Sequence, residues 1–111
     1  MTNLYLNSKL INGRVKEAVG VMERMIGLIG KKTIEEGFFL LFRNCNSIHT
    51  FFMGAEIDVV MTDEKGRVLR VWENLGPWKP AACLKARDTL EMKAGTVRRH
   101  GIKAGDVISF S

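Results

Sequence analysis

No apolar run in this chain approaches the roughly 20 residues that span a bilayer as a helix. Its opening residues, MTNLYLNSKL, also lack the basic-then-apolar layout of a secretory signal. A cytoplasmic protein with no membrane partner is the expectation. Cysteine is scarce: Cys45 and Cys83 are too few for a disulfide framework, and a reducing compartment favours two free thiols. Proline is equally scarce, with Pro77 and Pro80 in a single interval. No repeat, linker or low-complexity tract divides the chain, so residues 1–111 read as one domain. Basic residues outnumber acidic ones, 17 to 12, for a net charge of +5, yet the longest basic runs are Lys31-Lys32 and Arg98-Arg99. Phosphate tracking needs cations gathered on one face, so nucleic acid is a disfavoured partner and weak nucleic-acid binding ranks third among the functions considered. The glycines near the C-terminus, Gly101 and Gly105, form no phosphate loop, because no strand–glycine–helix order with a following Lys-Ser or Lys-Thr surrounds them.

What the sequence does contain is ordinary globular material: 46% apolar and 26% charged residues over 111 positions, enough to close a core. Residues 4–18 alternate loosely around Asn12-Gly13, a dipeptide suited to the positive φ angles of a tight hairpin. Met22, Met25, Ile26 and Ile29 recur at helical spacing, predicting an amphipathic helix at about residues 21–30 that ends at Gly30. The run FFLLF, residues 38–42, suits a buried strand. SIHTFFM and IDVVMT follow, rich in β-branched and aromatic residues. Residues 57–73 read as a long hairpin turning at Asp63–Gly66. The interval 76–82 carries both prolines and reads as a loop. CLKARDTLEM reads as a strand. Thr96 is placed to cap a short helical turn ending at Gly101, where Val97 and Ile102 occupy the contact positions of a Schellman closure. The segment AGDVISF then closes the chain as an edge strand. These elements make an α+β fold, dominated by antiparallel strands.

The order of these pieces resembles a known family. ERMIGLIGK at 23–31, CNSIHTFFM at 45–53, IDVVMTDEKGRV at 57–68 and LEMKAGTVRRHGIKAGDVI at 90–108 together look like the domain of unknown function 192 family, over nearly the whole chain. The resemblance implies a barrel-like antiparallel sheet with one helix, and with the amphipathic helix and short C-terminal helical turn read above this is the expected fold. It implies no activity, so function has to be argued from residues.

Two clusters offer chemistry. Cys45, His49 and Met53 are soft ligands at i, i+4 and i+8, but on a strand four residues span about 13 Å, too far for a shared ion, so neither a metal nor another cofactor is expected. His49 could act as a general base with Asp58 or Glu91 orienting its ring and Thr50 beside it. The alternative is that His49 and Asp58 are polar groups satisfied by hydrogen bonds inside the fold. Cys45 as a nucleophile has no base established within reach. The second cluster is Trp72, Pro77, Trp78 and Lys79, an aromatic loop able to stack a flat ligand, unless Trp72 fills the core and Trp78 plugs its end. No complete set of nucleophile, base and oxyanion donors can be written from these residues. The expected function is therefore a module binding a small ligand or a protein through Ser47–Met53 and the Pro77–Pro80 loop, with Ser47, His49, Thr50, Asp58 and Trp78 as candidate contacts. A hydrolase or transferase of unrecognised type centred on His49, Thr50 and Asp58 is the alternative.

Overall fold

A computed structural model describes residues 3–18, 34–49 and 56–111, with His49 described as backbone. The helix expected at 21–30 and the segment Thr50–Met53 lie outside the described residues. The described elements are β1 (Leu4–Leu6), β2 (Lys9–Ile11), β3 (Arg14–Glu17), β4 (Phe38–Phe42), β5 (Ser47–His49), β6 (Ile57–Thr62), β7 (Val68–Leu75), β8 (Pro80–Ala82), β9 (Asp88–Lys93), α1 (Thr96–His100) and β10 (Ile108–Phe110).

A five-stranded sheet in the order β3-β4-β9-β6-β7 organises the molecule. Its central strands are buried on both faces, which is why FFLLF in β4 is an unbroken apolar run rather than an alternation. Phe39 and Leu41 of β4 join Val60, Leu90 and Met92 in one core cluster, and Leu4, Ile11, Val97, Ile102 and Ile108 close over it. That side is covered by the three-stranded sheet β10-β1-β2 and by α1. Leu40 and Phe42 point the other way, with Ile57, Val59 and Met61, against Ile48, Ala81 and Ala86. The two-stranded ribbon β5-β8 lies on this second side.

The strands form three separately hydrogen-bonded sheets, and no closed ring of strands is found among the described residues. The observed class is thus α+β with mixed, mostly antiparallel sheets. Among the described residues β3 and β7 are the edges of the main sheet. β3 runs parallel to β4, with Arg14 opposite Phe38 and Glu17 opposite Leu41.

The first hairpin turns at a different place from the one expected. β1 pairs with β2, Leu4 opposite Ile11, and the turn is Asn7-Ser8, with φ of 51° and 69°. Asparagine tolerates this left-handed geometry, and its amide is used: Asn7 Oδ1 accepts the Val107 N–H at 2.8 Å. Asn12-Gly13 instead marks the passage from one sheet to the next. A Cβ at Gly13 would lie 2.3 Å from the Gly37 carbonyl oxygen, so glycine is required there by close approach rather than by a hairpin.

The hairpin at Asp63–Gly66 forms as expected. Asp63 Oδ1 accepts the N–H groups of Lys65 and Arg67, both at 2.9 Å, and β7 runs on to Leu75. The interval 76–82 is not wholly a loop, because Pro80–Ala82 pairs with β5. Pro80 is accommodated as the first residue of a strand that has one partner, where a missing donor breaks no second ladder. CLKARDTLEM is also shorter as a strand than expected: a turn closed by Ala86 N–H to Cys83 O at 2.9 Å precedes β9.

Helix α1 ends as its spacing predicts. Gly101 is left-handed, with φ 66° and ψ 34°, its N–H reaches the Arg98 carbonyl, and the Ile102 N–H reaches that of Val97 at 2.9 Å. Those two bonds are a Schellman closure. Nothing lies within 4 Å of a Cβ built at Gly101, so Gly101→Ala meets only the backbone penalty. We expect that variant to lose about 1 kcal/mol. Urea melts check this, and an unchanged midpoint and slope would mean the helix closes by other contacts.

Candidate binding surface

The start of α1 brings in the first of the predicted site residues. Thr96 is not the cap. Gly95 stands at that position in a left-handed conformation, φ 97°, and offers no side-chain acceptor. The acceptor comes from β6: Asp58 Oδ2 takes the N–H groups of Gly95 and Val97, each at 2.9 Å, and Oδ1 takes that of Asn74, also at 2.9 Å. Asp58 has no accessible surface. A carboxylate at a helix start satisfies donors that the helix cannot, and here one group also fixes Asn74 of β7 at φ 54°. Asp58 pairs with Met92, so it belongs to the face of the main sheet that carries α1.

Ser47 and His49 lie on the other side. β5 pairs with β8 in the register Ser47–Ala82, Ile48–Ala81, His49–Pro80. Ile48 and Ala81 are buried in the second cluster and anchor the ribbon, while Ser47 is exposed. The approach to the ribbon is stapled to the next strand. The Cys45 N–H donates to Arg87 O at 2.7 Å, Thr89 Oγ1 donates to Cys45 O at 2.7 Å, and Cys83 N–H reaches Asn46 O at 3.0 Å. Cys45 and Cys83 are free thiols, half-buried against the second cluster. The register thus places His49 beside Pro80, at the end of the Pro77–Pro80 loop, and Ser47 beside Ala82, and leaves Asp58 on the opposite face of the main sheet; Thr50 lies outside the described residues.

Trp78 precedes Pro80 by two residues. It is 61% exposed, so it does not plug an end of the fold. Its φ is 61°, in a turn that begins with Pro77. Proline followed by a left-handed residue is the pattern of a type II turn, which ordinarily places glycine second. A bulky residue there carries strain of order 1 kcal/mol. Trp72, by contrast, is half-buried against the second cluster with Arg70 stacked 4.6 Å from its ring centroid.

The sequence reading weighed Glu91 only as a partner of His49, yet the structure makes it the most unusual polar group described. It is 4% exposed in the middle of β9, opposite Leu40 and Val59, and therefore on the ribbon side of the sheet. Its buried Oε1 has no hydrogen-bond partner among the described residues. Burial pushes its carboxyl up from the ordinary 4.5 to about 8, so it keeps its proton at neutral pH. The signal in the sequence was a single acidic residue inside the otherwise apolar core of TLEM.

These features define a class: an α+β domain in which a short β-ribbon, on the same side of the main sheet as a buried carboxylic acid, presents an exposed aromatic turn. The chain belongs to the domain of unknown function 192 family, described as uncharacterized ACR, whose model matches residues 6–110. A UPF0127 protein of Thermococcus kodakarensis is 30% identical over 112 residues, covering 93% of this chain and 68% of the relative. Two solved structures share the fold. A Novosphingobium aromaticivorans protein of unknown function has a TM-score of 0.84 at 19% identity, with 97% of this chain and 84% of that one covered. A Sinorhizobium meliloti protein described as a candidate transcription regulator has a TM-score of 0.85 at 20% identity, with 97% and 92% covered. Among the described residues no helix is long and apolar enough to cross a membrane.

Proposed function

We propose that this protein is a binding module whose contact surface is the β5–β8 ribbon with the Pro77–Pro80 turn, taking a small planar ligand or a protein side chain of that shape. The observation that carries the reading is the pairing of His49 with Pro80, which joins two segments separated by thirty residues of sequence into one surface. Trp78 supports it, since an indole that is 61% exposed in a strained backbone conformation presents a flat aromatic face to solvent. Ser47 supplies an exposed hydroxyl on the same ribbon. His49, paired with Pro80, and Thr50, the next residue in sequence, are the further contacts this reading assigns. Asp58 serves the fold rather than the ligand in this reading, because its hydrogen bonds among the described residues all come from backbone N–H groups on the far side of the sheet.

That placement also weighs against a hydrolase centred on His49, Thr50 and Asp58. Nucleic-acid binding draws support from the formal charge of +5 and from the description of the Sinorhizobium neighbour, but a likeness at 20% identity carries the fold alone.

A library of small aromatic and heteroaromatic fragments, read by amide chemical shifts on the full chain, tests the proposal. Hits are expected to move residues 47–49 and 78–82. Trp78→Gly should abolish those shifts while leaving stability within about 1 kcal/mol, since glycine relieves the left-handed strain. Hits that persist unchanged in Trp78→Gly would refute the surface assigned.

A further inference from the structure

The face of the main sheet opposite the ribbon carries a concavity. The β1–β2 hairpin, the passage through Gly13 and α1 enclose a cleft of about 800 Å³, within the range of roughly 300–1,000 Å³ that small-molecule sites occupy. Its lining is divided. Leu10, which is 51% exposed, and Ile11 form an apolar side, while Lys9, Arg14 and Arg99 supply cations.

Glu36 is the one carboxylate among the lining residues, and Arg99 already engages it. Among the described residues no carboxylate forms an ion pair with Lys9 or Arg14. Arg14 is positioned by the fold: its N–H donates to the Gly37 carbonyl at 2.6 Å, and its guanidinium sits 5.8 Å from the centroid of the Phe38 ring. The contact of Gly13 on Gly37 permits this approach, since any side chain at Gly13 would strike that carbonyl. Two cations with no ion-pair partner among the described residues, set in a concave wall, concentrate positive potential where a ligand would enter.

We infer that this cleft binds a small organic anion, its carboxylate or phosphate head on Arg14 and Lys9 and a short apolar body along Leu10 and Ile11. Arginine suits such a head because its fork of donors matches two oxygens at once. The cations come from β2, β3 and α1, so only the folded topology assembles them.

Hexyl phosphate and hexanoate, titrated into the full chain and followed by amide shifts, are the probes, with inorganic phosphate and hexanol as the separated head and tail. Saturable shifts are expected at residues 9–14 and 96–100 for both amphiphilic anions, with inorganic phosphate binding about tenfold or more weaker and hexanol giving no saturation. Arg14→Gln, at an exposed position, should melt like the wild type and weaken hexyl phosphate roughly tenfold. Leu10→Ser should weaken hexyl phosphate and leave phosphate unchanged. The inference fails if those residues do not saturate, if Arg14→Gln binds as well as the wild type, or if phosphate alone matches hexyl phosphate. It also fails if a thymidine oligonucleotide displaces the anion and spreads its shifts over the scattered basic residues, which would make the surface a nucleic-acid face. None of these outcomes bears on residues 47–49 or 78–82, so the two sites stand or fall separately.

Discussion

Glu91→Gln should be more stable than the wild type at neutral pH, by about 3 kcal/mol at pH 7 and by about 5 kcal/mol above pH 8, given a carboxyl raised from 4.5 to about 8. Glutamine copies the protonated acid in shape and in neutrality, so the two proteins should converge below pH 4.5. Between those limits the folded wild type holds a proton that its unfolded chain has released. Stability from this group is therefore fully present below the unfolded value and is lost as pH rises through the folded one. Asp106 acts in the other direction and another window: the Lys103 N–H, then the Asn7 amide, hold its carboxyl below the usual range, so its contribution disappears as pH falls. Because Asp106 is common to both proteins, it cancels in the difference. Denaturant melts of each at several pH values give the curve directly. A difference that stays flat from pH 5 to 8 would mean Glu91 is ionised and partnered in the folded state.

Asp58→Ala is expected to cost about 4 kcal/mol, because hydrogen bonds to a charged acceptor contribute roughly 1.5–3 kcal/mol each without adding fully, and the Val97 N–H is left buried. Three N–H groups lose their acceptor together: Asn74, Gly95 and Val97. Against a total stability of about 5–15 kcal/mol, that loss leaves a marginal protein. Asp58→Asn keeps one acceptor oxygen and turns an N–H₂ toward the remaining donors, so about half the loss is expected. The pair of variants separates structure from catalysis. If Asp58 were a catalytic carboxylate, the asparagine variant would melt like the wild type and fail only in an activity.

The parts of this fold that were legible in sequence are those fixed by neighbours in the chain. Val97, Gly101 and Ile102 specify a helix closure by themselves, and Asp63 with Gly66 specifies a turn, because donors and acceptors lie within a few residues. Errors came where a distant segment decided the outcome. Asn12-Gly13 has the composition of a hairpin, but contact with Gly37 makes it a crossing between sheets, and Asn7-Ser8 turns the chain instead. Thr96 has the composition of a cap, but Asp58, brought in by β6, takes that role. Pro80 argues against a strand until its partner is known to be a two-stranded ribbon.

The same distinction governs the sites. Trp78 and the Ser47–His49 segment could each be picked out locally, whereas their meeting depends on the β5–β8 register. The cationic cleft was illegible, since Lys9, Arg14 and Arg99 look like scattered surface charge until the parallel pairing of β3 with β4 and the seat of α1 bring them together. Glu91 lies between these cases. Its oddity is local, one acid in an apolar strand, but its burial on both sides by β4 and β6 is tertiary.

The central claim is that the ribbon and the Trp78 turn form the contact surface. Its most direct test is a crystallographic soak of the full chain with the aromatic fragment library, locating every bound molecule. The account predicts rings stacked on the Trp78 indole with polar atoms turned toward Ser47 and His49. Fragments bound reproducibly elsewhere, with the Trp78 turn unvisited in a crystal that leaves it open to solvent, would contradict it.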